Sequence, residues 1–133
     1  MGWIWVFDDS FRATTDMRLL QFSPVKLGAE GYIAVCAAAT DKVIGILQDK
    51  PKAGDAAKVA IIARCTALVD GSGTAIVVGD FLGPNSAGTM LVKKATADYN
   101  YCAIAFQACT ISGGKIDVFV FGGMGTAFRT LLG

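Results

Sequence analysis

Residues 58–64 read KVAIIAR and residues 115–121 read KIDVFVF, and these two runs decide the fold. Successive side chains of a β-strand point to opposite faces, so each run presents two apolar faces with few charges. The faces are Val59, Ile61 and Ala63 against Ile62 in the first run, and Ile116, Val118 and Val120 against Asp117, Phe119 and Phe121 in the second. Such strands fit a barrel or a sandwich, in which both faces meet other parts of the protein.

Short β-rich runs of the same kind recur along the chain, and turn residues close each of them. They are residues 31–36, 42–48, 74–78, 89–93 and 101–107. Residues 70–73 (DGSG) predict a hairpin loop, and Gly113-Gly114 predicts the turn before the last strand. No segment has a sustained helical repeat of apolar residues. We therefore predict an all-β fold, a small β-barrel or β-tulip-like sandwich.

A weak internal similarity relates two parts of the chain. Residues 43–48 and 102–107 are both apolar runs that end in glutamine, and each passes through a glycine-containing turn into a lysine that opens the next strand. This similarity predicts two related hairpins in a pseudo-symmetric barrel. Two copies are too few for a solenoid, which needs at least three repeats.

The two ends of the chain differ from its middle, so we predict an extended N-terminal arm over residues 1–18, a β-rich domain over residues 19–121 and a short C-terminal tail over residues 122–133. Alternating aromatic residues of an extended arm share one side. We predict that both ends contact another chain, the alternative being that they return to the core of their own subunit. The predicted interface residues are Trp3, Trp5, Phe7, Phe11, Arg12, Arg18, Phe128 and Arg129.

The composition argues against several classes of function. The 133 residues include 12 Lys and Arg against 11 Asp and Glu, and this net charge of +1 is too small for field-driven binding of nucleic acid. Charged residues make up only 17%, against about 25% in an average soluble domain, so part of the surface is expected to meet other protein. The chain has no histidine, which removes the usual general base and the common zinc sites.

Motifs for catalysis and cofactor binding are incomplete. Gly113-Gly114-Lys115 lacks the first glycine and the Ser or Thr of a phosphate-binding loop, and the four cysteines form no C-x-x-C pair. We predict no enzyme activity, no cofactor and no metal, and four free, largely buried thiols. No apolar run approaches the roughly 18 residues of a membrane span, so we expect no membrane partner.

Five segments follow one another in a specific order and spacing. They are residues 24–31 (PVKLGAEG), 41–48 (DKVIGILQ), 51–59 (PKAGDAAKV), 79–88 (GDFLGPNSAG) and 104–108 (IAFQA). Together they resemble the capsid decoration (cement) proteins of tailed bacteriophages, with their K-x-G strand, V-I-G-x-L-Q strand, P-x-A-G-x-x-A-x-V turn, G-D-x-L hairpin and I-A-L-E-A strand. Ala103 and Gln107 stand where that family commonly has glycine and glutamate. The resemblance covers residues 22–121.

The resemblance implies a body that binds the outer surface of an icosahedral head and braces neighbouring major capsid protein subunits. It also implies a homotrimer, made in the bacterial host cytoplasm and located in the virion. Aromatic residues dominate interface energetics, so Trp3, Trp5 and Phe7 are the expected anchors, while the arginines could pair with acidic groups of the shell.

Two other functions stay open at this point. A carbohydrate- or receptor-binding module of the virion surface would use exposed aromatic rings, for which Trp3, Tyr32, Tyr99 and Tyr101 are candidates. A small hydrolase would need carboxylates and lysines to converge in space, and the sequence marks no such pair.

Overall fold

The computed structural model describes residues 7–94 and 100–121, with side chains from residue 11 onward, and every regular element in those ranges is a β-strand. The strands are β1 (Phe7–Ala13), β2 (Pro24–Leu27), β3 (Tyr32–Val35), β4 (Gly45–Leu47), β5 (Ala56–Asp70), β6 (Phe81–Pro84), β7 (Leu91–Lys93), β8 (Ala103–Ala105) and β9 (Ser112–Phe121). Across the described ranges, no helix long and apolar enough to cross a membrane is found.

Strand β5 joins two closed rings of strands. The hydrogen-bonded order is β1-β3-β2-β4-β5-β7-β6-β8-β9, and two further pairings, β1 with β5 and β5 with β9, close it on itself twice. The first ring contains β1 to β5 and forms a five-stranded barrel; the second ring contains β5 to β9. The predicted all-β barrel is confirmed, and β5, at 15 residues, is long enough to serve both rings.

A β-bulge near the middle of β5 changes the direction in which its side chains point. Phe7 is opposite Ile62 while Asp8 is opposite Ala60, so Ile61 is an extra residue in the ladder. Val59, before the bulge, lies in the core of the first ring, whereas Ala63, after it, lies in the core of the second. The simple alternation predicted for residues 58–64 therefore holds from Val59 to Ile61, which both face the first core, and fails between Ile61 and Ala63.

Each ring has its own apolar cluster. The first cluster is small and contains Ala13, Met17, Val25, Ile33, Leu47, Ala57 and Val59, with Phe11 and Ile61 among the partly buried residues against it. The second cluster is larger and includes Val43, Ile46, Ala63, Val69, Ile76, Leu82, Leu91, Ile116, Val118 and Val120. Most of these side chains are alanine or β-branched, which suits strands that lie close together around a narrow interior.

The internal similarity corresponds to two antiparallel hairpins. Ile46 is opposite Ala60 in the pair β4–β5, and Ile104 is opposite Phe119 in the pair β8–β9. The long strands of the two hairpins then pair with each other along their length, from Ile62↔Phe121 to Val69↔Gly114. The two similar segments thus occupy matching places in the two rings.

Three local predictions were wrong. Residues 74–78 form no strand, because only Ile76 pairs, through a single bridge to Cys109. The loop at residues 70–73 is not a hairpin, since the strands it connects, β5 and β6, do not pair with each other. Gly113 and Gly114 lie inside β9 and not in a turn; Gly113 has a φ of +79°, and a side chain on Gly114 would meet Sγ of Cys109.

Much of the predicted N-terminal arm belongs to the first ring. β1 pairs antiparallel with β5 and parallel with β3, and Ala13 and Met17 are fully buried. The polar stretch Asp8-Asp9-Ser10 has no apolar alternation that would predict this strand, which is held by backbone pairing. The part of the arm that lies outside the described residues is residues 1–6.

The loop at residues 36–41 fastens the two rings together. The Asp41 carboxylate accepts hydrogen bonds from the backbone N–H of Ala37 at 2.6 Å and from Lys26 Nζ at 3.1 Å, and these lower its pKa. The side-chain amide of Asn100 donates to the carbonyl oxygens of Ala39 and Asp41. Gly88, in the turn between β6 and β7, approaches this loop so closely that a Cβ would lie 2.5 Å from the backbone of Cys36 and Ala37.

This close approach can be measured by comparing two glycines. Gly88 and Gly113 share a φ of +79°, but only at Gly88 would an added Cβ have neighbours within 4 Å. Gly113→Ala should cost the left-handed penalty of about 1–2 kcal/mol. Gly88→Ala should cost about 1–3 kcal/mol more, because the added methyl group overpacks the junction. Urea denaturation measures the loss of unfolding free energy in each variant. Equal losses would show that the loop at residues 36–41 moves away from the added methyl group at little cost.

Candidate interaction surface

The loop that follows β1 holds an ion pair next to a fully exposed leucine. Arg18 Nε lies 3.0 Å from Asp16 Oδ1, and its terminal nitrogen lies 2.7 Å from Oδ2, so the two side chains meet in a two-point contact. The backbone N–H of Arg18 also donates to Oδ1 at 3.1 Å. These hydrogen bonds from Arg18 lower the pKa of Asp16 to about 2. All of these hydrogen bonds are made within the loop itself, at the surface of the protein.

The two apolar residues that flank Arg18 have opposite environments. Met17 is fully buried in the first cluster, and its N–H donates to the carbonyl of Pro51 at 2.9 Å. Leu19 is 98% exposed. Beside it is a shallow cleft of about 340 Å³, whose described lining residues are Asp16, Arg18 and Leu19. Met17 thus anchors the loop, while Leu19 projects from the turn that contains the Asp16–Arg18 pair.

The first and the last described residues of the chain meet at one point of β5. Phe7, the first described residue, and Phe121, the last, are each the register partner of Ile62. Phe7 and Phe121 therefore lie beside the bulge where the two rings meet. The predicted interface residues Trp3, Trp5, Phe128 and Arg129 lie in residues 1–6 and 122–133, outside the described residues.

The remaining predicted interface residues lie on the first ring. Phe7 is in β1, with only its backbone described, and Phe11 is partly buried against the first cluster. Arg12 is exposed, and its backbone N–H donates to the carbonyl of Gly31. Arg18 is exposed but already paired with Asp16. Phe11 therefore has a role in the core, while Arg12 and Arg18 are placed on the surface.

Sequence reasoning missed an apolar patch on the second ring. It consists of four exposed side chains, Val77, Val78, Phe106 and Ile111. They lie on two segments that hydrogen-bond to each other, since Ile76 pairs with Cys109 and the N–H of Gly79 donates to the carbonyl of Ala105. These side chains were missed because residues 74–78 were predicted to form a strand. Neighbouring residues of a strand face opposite sides, so one of the two valines would have been buried.

The thiols have no features of reactive cysteines. All four cysteines are free, and Cys36, Cys102 and Cys109 are buried. Burial raises the pKa of Cys36 and Cys65 to about 12 each and raises that of Cys102 as well. The thiols of these three residues stay protonated near neutral pH, which makes them poor nucleophiles and poor metal ligands. Within residues 7–94 and 100–121 no three His, Cys, Asp or Glu residues are grouped to hold a metal.

Two features bear on carbohydrate binding. Tyr101, a candidate for stacking on a sugar, is only 3% exposed and packs its ring 5.5 Å from that of Phe81. A second shallow cleft of about 340 Å³ is lined, among the described residues, by Asp70, Gly73, Thr74, Asn85, Ser86, Val92, Lys93 and Lys94. This described lining is polar and has no aromatic ring on which a sugar could stack.

Comparison with known proteins shows a likeness in fold. No protein-family model and no curated protein matches the chain. Among solved structures, the chain is similar to the head fiber gp8.5 N base of bacteriophage phi29, with a TM-score of 0.57 and 19% sequence identity. The match covers 86% of this chain and 92% of that chain, so the two share a fold nearly from end to end.

The pKa of Asp16 tests the geometry of residues 16–19, which we call the Leu19 loop. Arg18→Gln should move the pKa of Asp16 from about 2 back towards 3.8. Since the folded-state pKa is the lower one, the stabilisation from the pair is complete above about pH 4 and is lost as the pH falls through about 2. An NMR titration of the Asp16 carboxyl measures this shift. An unchanged titration curve would mean that Arg18 does not hold the loop.

Proposed function

We propose that the chain is a capsid decoration protein, which binds the outer surface of an icosahedral phage head and bridges neighbouring major capsid protein subunits. The observation that carries the proposal is the agreement of two independent likenesses. The order of motifs over residues 22–121 resembles phage cement proteins, and the fold is similar to that of a phage head fiber base. Both likenesses are to phage head proteins, and this agreement supports the proposal.

The Leu19 loop is the part of the first ring best suited to contact the shell. Burying a leucine side chain against a partner contributes about 1.5–3 kcal/mol. Arg18 and Asp16 neutralise each other, so a partner surface needs no matching charge there. An apolar socket on the capsid would accept Leu19 without the cost of desolvating an unpaired ion.

The N-terminal segment would add a second contact from the same ring. Trp3 and Trp5 precede β1 by a few residues, and aromatic side chains of this size dominate interface energies. Each contact is modest, but a homotrimer that engages several capsid subunits at once gains effective concentration at every further site. This multivalent binding would stabilise the shell without catalysis, cofactor, nucleic acid or membrane.

A reconstruction of the phage particle tests the proposed location. The chain should form density on the outer surface of the head, in groups of three, at junctions between major capsid subunits. Such a position would follow from one trimer bridging several subunits. Density on the tail or inside the head would contradict the proposal, and isolated single copies would contradict the trimer.

Binding to heads that lack the protein tests the contact residues. Leu19→Asp should weaken binding about tenfold or more, because it removes roughly 1.4 kcal/mol or more of apolar burial. It should leave the free energy of unfolding within about 0.5 kcal/mol, since Leu19 makes no buried contact within the chain. Leu27→Asp is the matched control, because Leu27 is 62% exposed on the same ring. Equal binding by both variants and the native chain would exclude the Leu19 loop.

Removal of residues 2–6 tests Trp3 and Trp5 in the same head-binding assay. The deletion stops before Phe7, so the pairing of β1 with β5 is retained. A longer deletion through residue 12 would remove most of β1 and would confuse loss of folding with loss of contact. Full occupancy of heads by the shortened chain would rule out this segment as an anchor.

A further inference from the structure

The hairpin of β2 and β3 covers one side of the first apolar cluster. Val25 and Ile33 are fully buried, and they are the two residues that the hairpin contributes to the seven buried side chains of this cluster. The other five lie on β1, on the loop after β1, on β4 and on β5. The tip of the hairpin, residues 28–31, is exposed. The hairpin therefore lies over the first core with its tip in solvent.

The base of the hairpin is fixed, because both of its ends are joined to the rest of the protein. The N–H of Cys36 donates to the carbonyl of Pro24 at 3.1 Å, and the Cys36 side chain is fully buried in the second cluster. At the other end, Ser23 is 1% exposed, and its carbonyl accepts from the N–H of Leu47 at 3.0 Å. A movement of the hairpin as a unit therefore turns about its base, at Pro24 and Cys36.

The two long edges of the hairpin have few backbone contacts. β3 pairs with β1 at two positions, and β2 pairs with β4 at two positions, Pro24↔Ile46 and Val25↔Gly45. By comparison, β5 pairs with β9 at nine positions in the second ring. Segments with short ladders and an exposed end are the ones that open locally in native proteins.

An ion pair continues the attachment of β2 where its pairing with β4 ends. That pairing ends at Val25, and the next residue, Lys26, places its Nζ 3.1 Å from the Asp41 carboxylate. The carboxylate also accepts from the N–H groups of Ala37 and Ala38, so its own loop positions it. The side chains of Lys26 and Asp41 are only 34% and 20% exposed, and water and salt therefore screen this pair less than a fully exposed one.

We propose that the β2–β3 hairpin is a flap, hinged at its base, which opens the first ring while the second ring stays folded, and that the Lys26–Asp41 ion pair holds it shut. Opening exposes the part of the first cluster that the hairpin carries. It also separates the N–H groups of Thr14 and Ile44 from their acceptors on the hairpin. The second ring is unaffected, because it closes through the pairing of β5 with β9 and has its own core.

Hydrogen exchange of single amides, measured by NMR on the full chain, tests the flap. Thr14 and Ile44 are the flap reporters, because their N–H groups donate to the carbonyl oxygens of Ile33 and Val25 on the hairpin. Cys102, which is hydrogen-bonded and 1% exposed, reports on the second ring. The protection factors of the flap reporters should be about tenfold or more below that of Cys102, since the flap opens more often than the whole chain unfolds. Equal protection at all three amides would overturn the proposal.

Lys26→Met tests the ion pair, because methionine keeps an apolar stem and removes the charge. Exchange at both flap reporters should become about three- to tenfold faster, while exchange at the second-ring reporter stays unchanged. Lys42→Met is the matched control, since it removes the same charge from an exposed residue next to Asp41, and it should change none of the three rates.

Two results with these variants would contradict the proposal. Equal exchange rates in Lys26→Met, Lys42→Met and the native chain would show that the ion pair does not hold the flap. Equal acceleration at the flap reporters and at Cys102 would show that Lys26→Met lowers the stability of the whole chain and that no separate opening of the first ring exists. The measurements use the free chain, so they do not depend on capsid binding.

Discussion

The shared strand β5 is the constraint on which the whole structure depends. It pairs with β1, β4, β7 and β9, and it contributes side chains to both apolar clusters. A slip of one residue in a strand moves every side chain to the opposite face. A slip in β5 would therefore expose Val59 in one ring and Val69 in the other at the same time. The burial of apolar residues in each of the two rings therefore sets the register of β5. The bulge at Ile61 allows the one strand to place apolar side chains in both cores.

The sequence predicted the strands whose side chains decide their position, and it missed features that depend on the backbone. Residues 58–64 and 115–121 carry enough apolar residues on each face to be recognised as strands within β5 and β9. β1 carries Asp8-Asp9-Ser10 and was predicted only as part of an arm, because its pairing with β5 uses backbone groups that every residue has. The bulge could not be predicted from the sequence, because residues 61 and 62 are both isoleucine and nothing distinguishes the extra residue of the ladder.

The candidate surfaces could be predicted only in part, for a different reason. A two-residue spacing made the Asp16–Arg18 contact possible, but whether Met17 or Leu19 faces the solvent depends on how the loop meets Pro51. The exposure of Val77 and Val78 likewise depends on Ile76 making a single bridge to Cys109 and no continuous ladder. In both places, one backbone contact between distant parts of the chain decides which apolar residue is buried.

The low charge of the chain has a more specific meaning once the fold is known. From composition alone, 17% charged residues suggested that part of the surface meets other protein. Two separate apolar clusters in so short a chain consume many apolar residues, because two small interiors have more surface per volume to line than a single large one. Only six large apolar side chains are exposed among the described residues. The evidence for partners therefore rests on where those six lie. One is at the tip of the Leu19 loop and four form the apolar patch, so the two rings present distinct surfaces that can be tested separately.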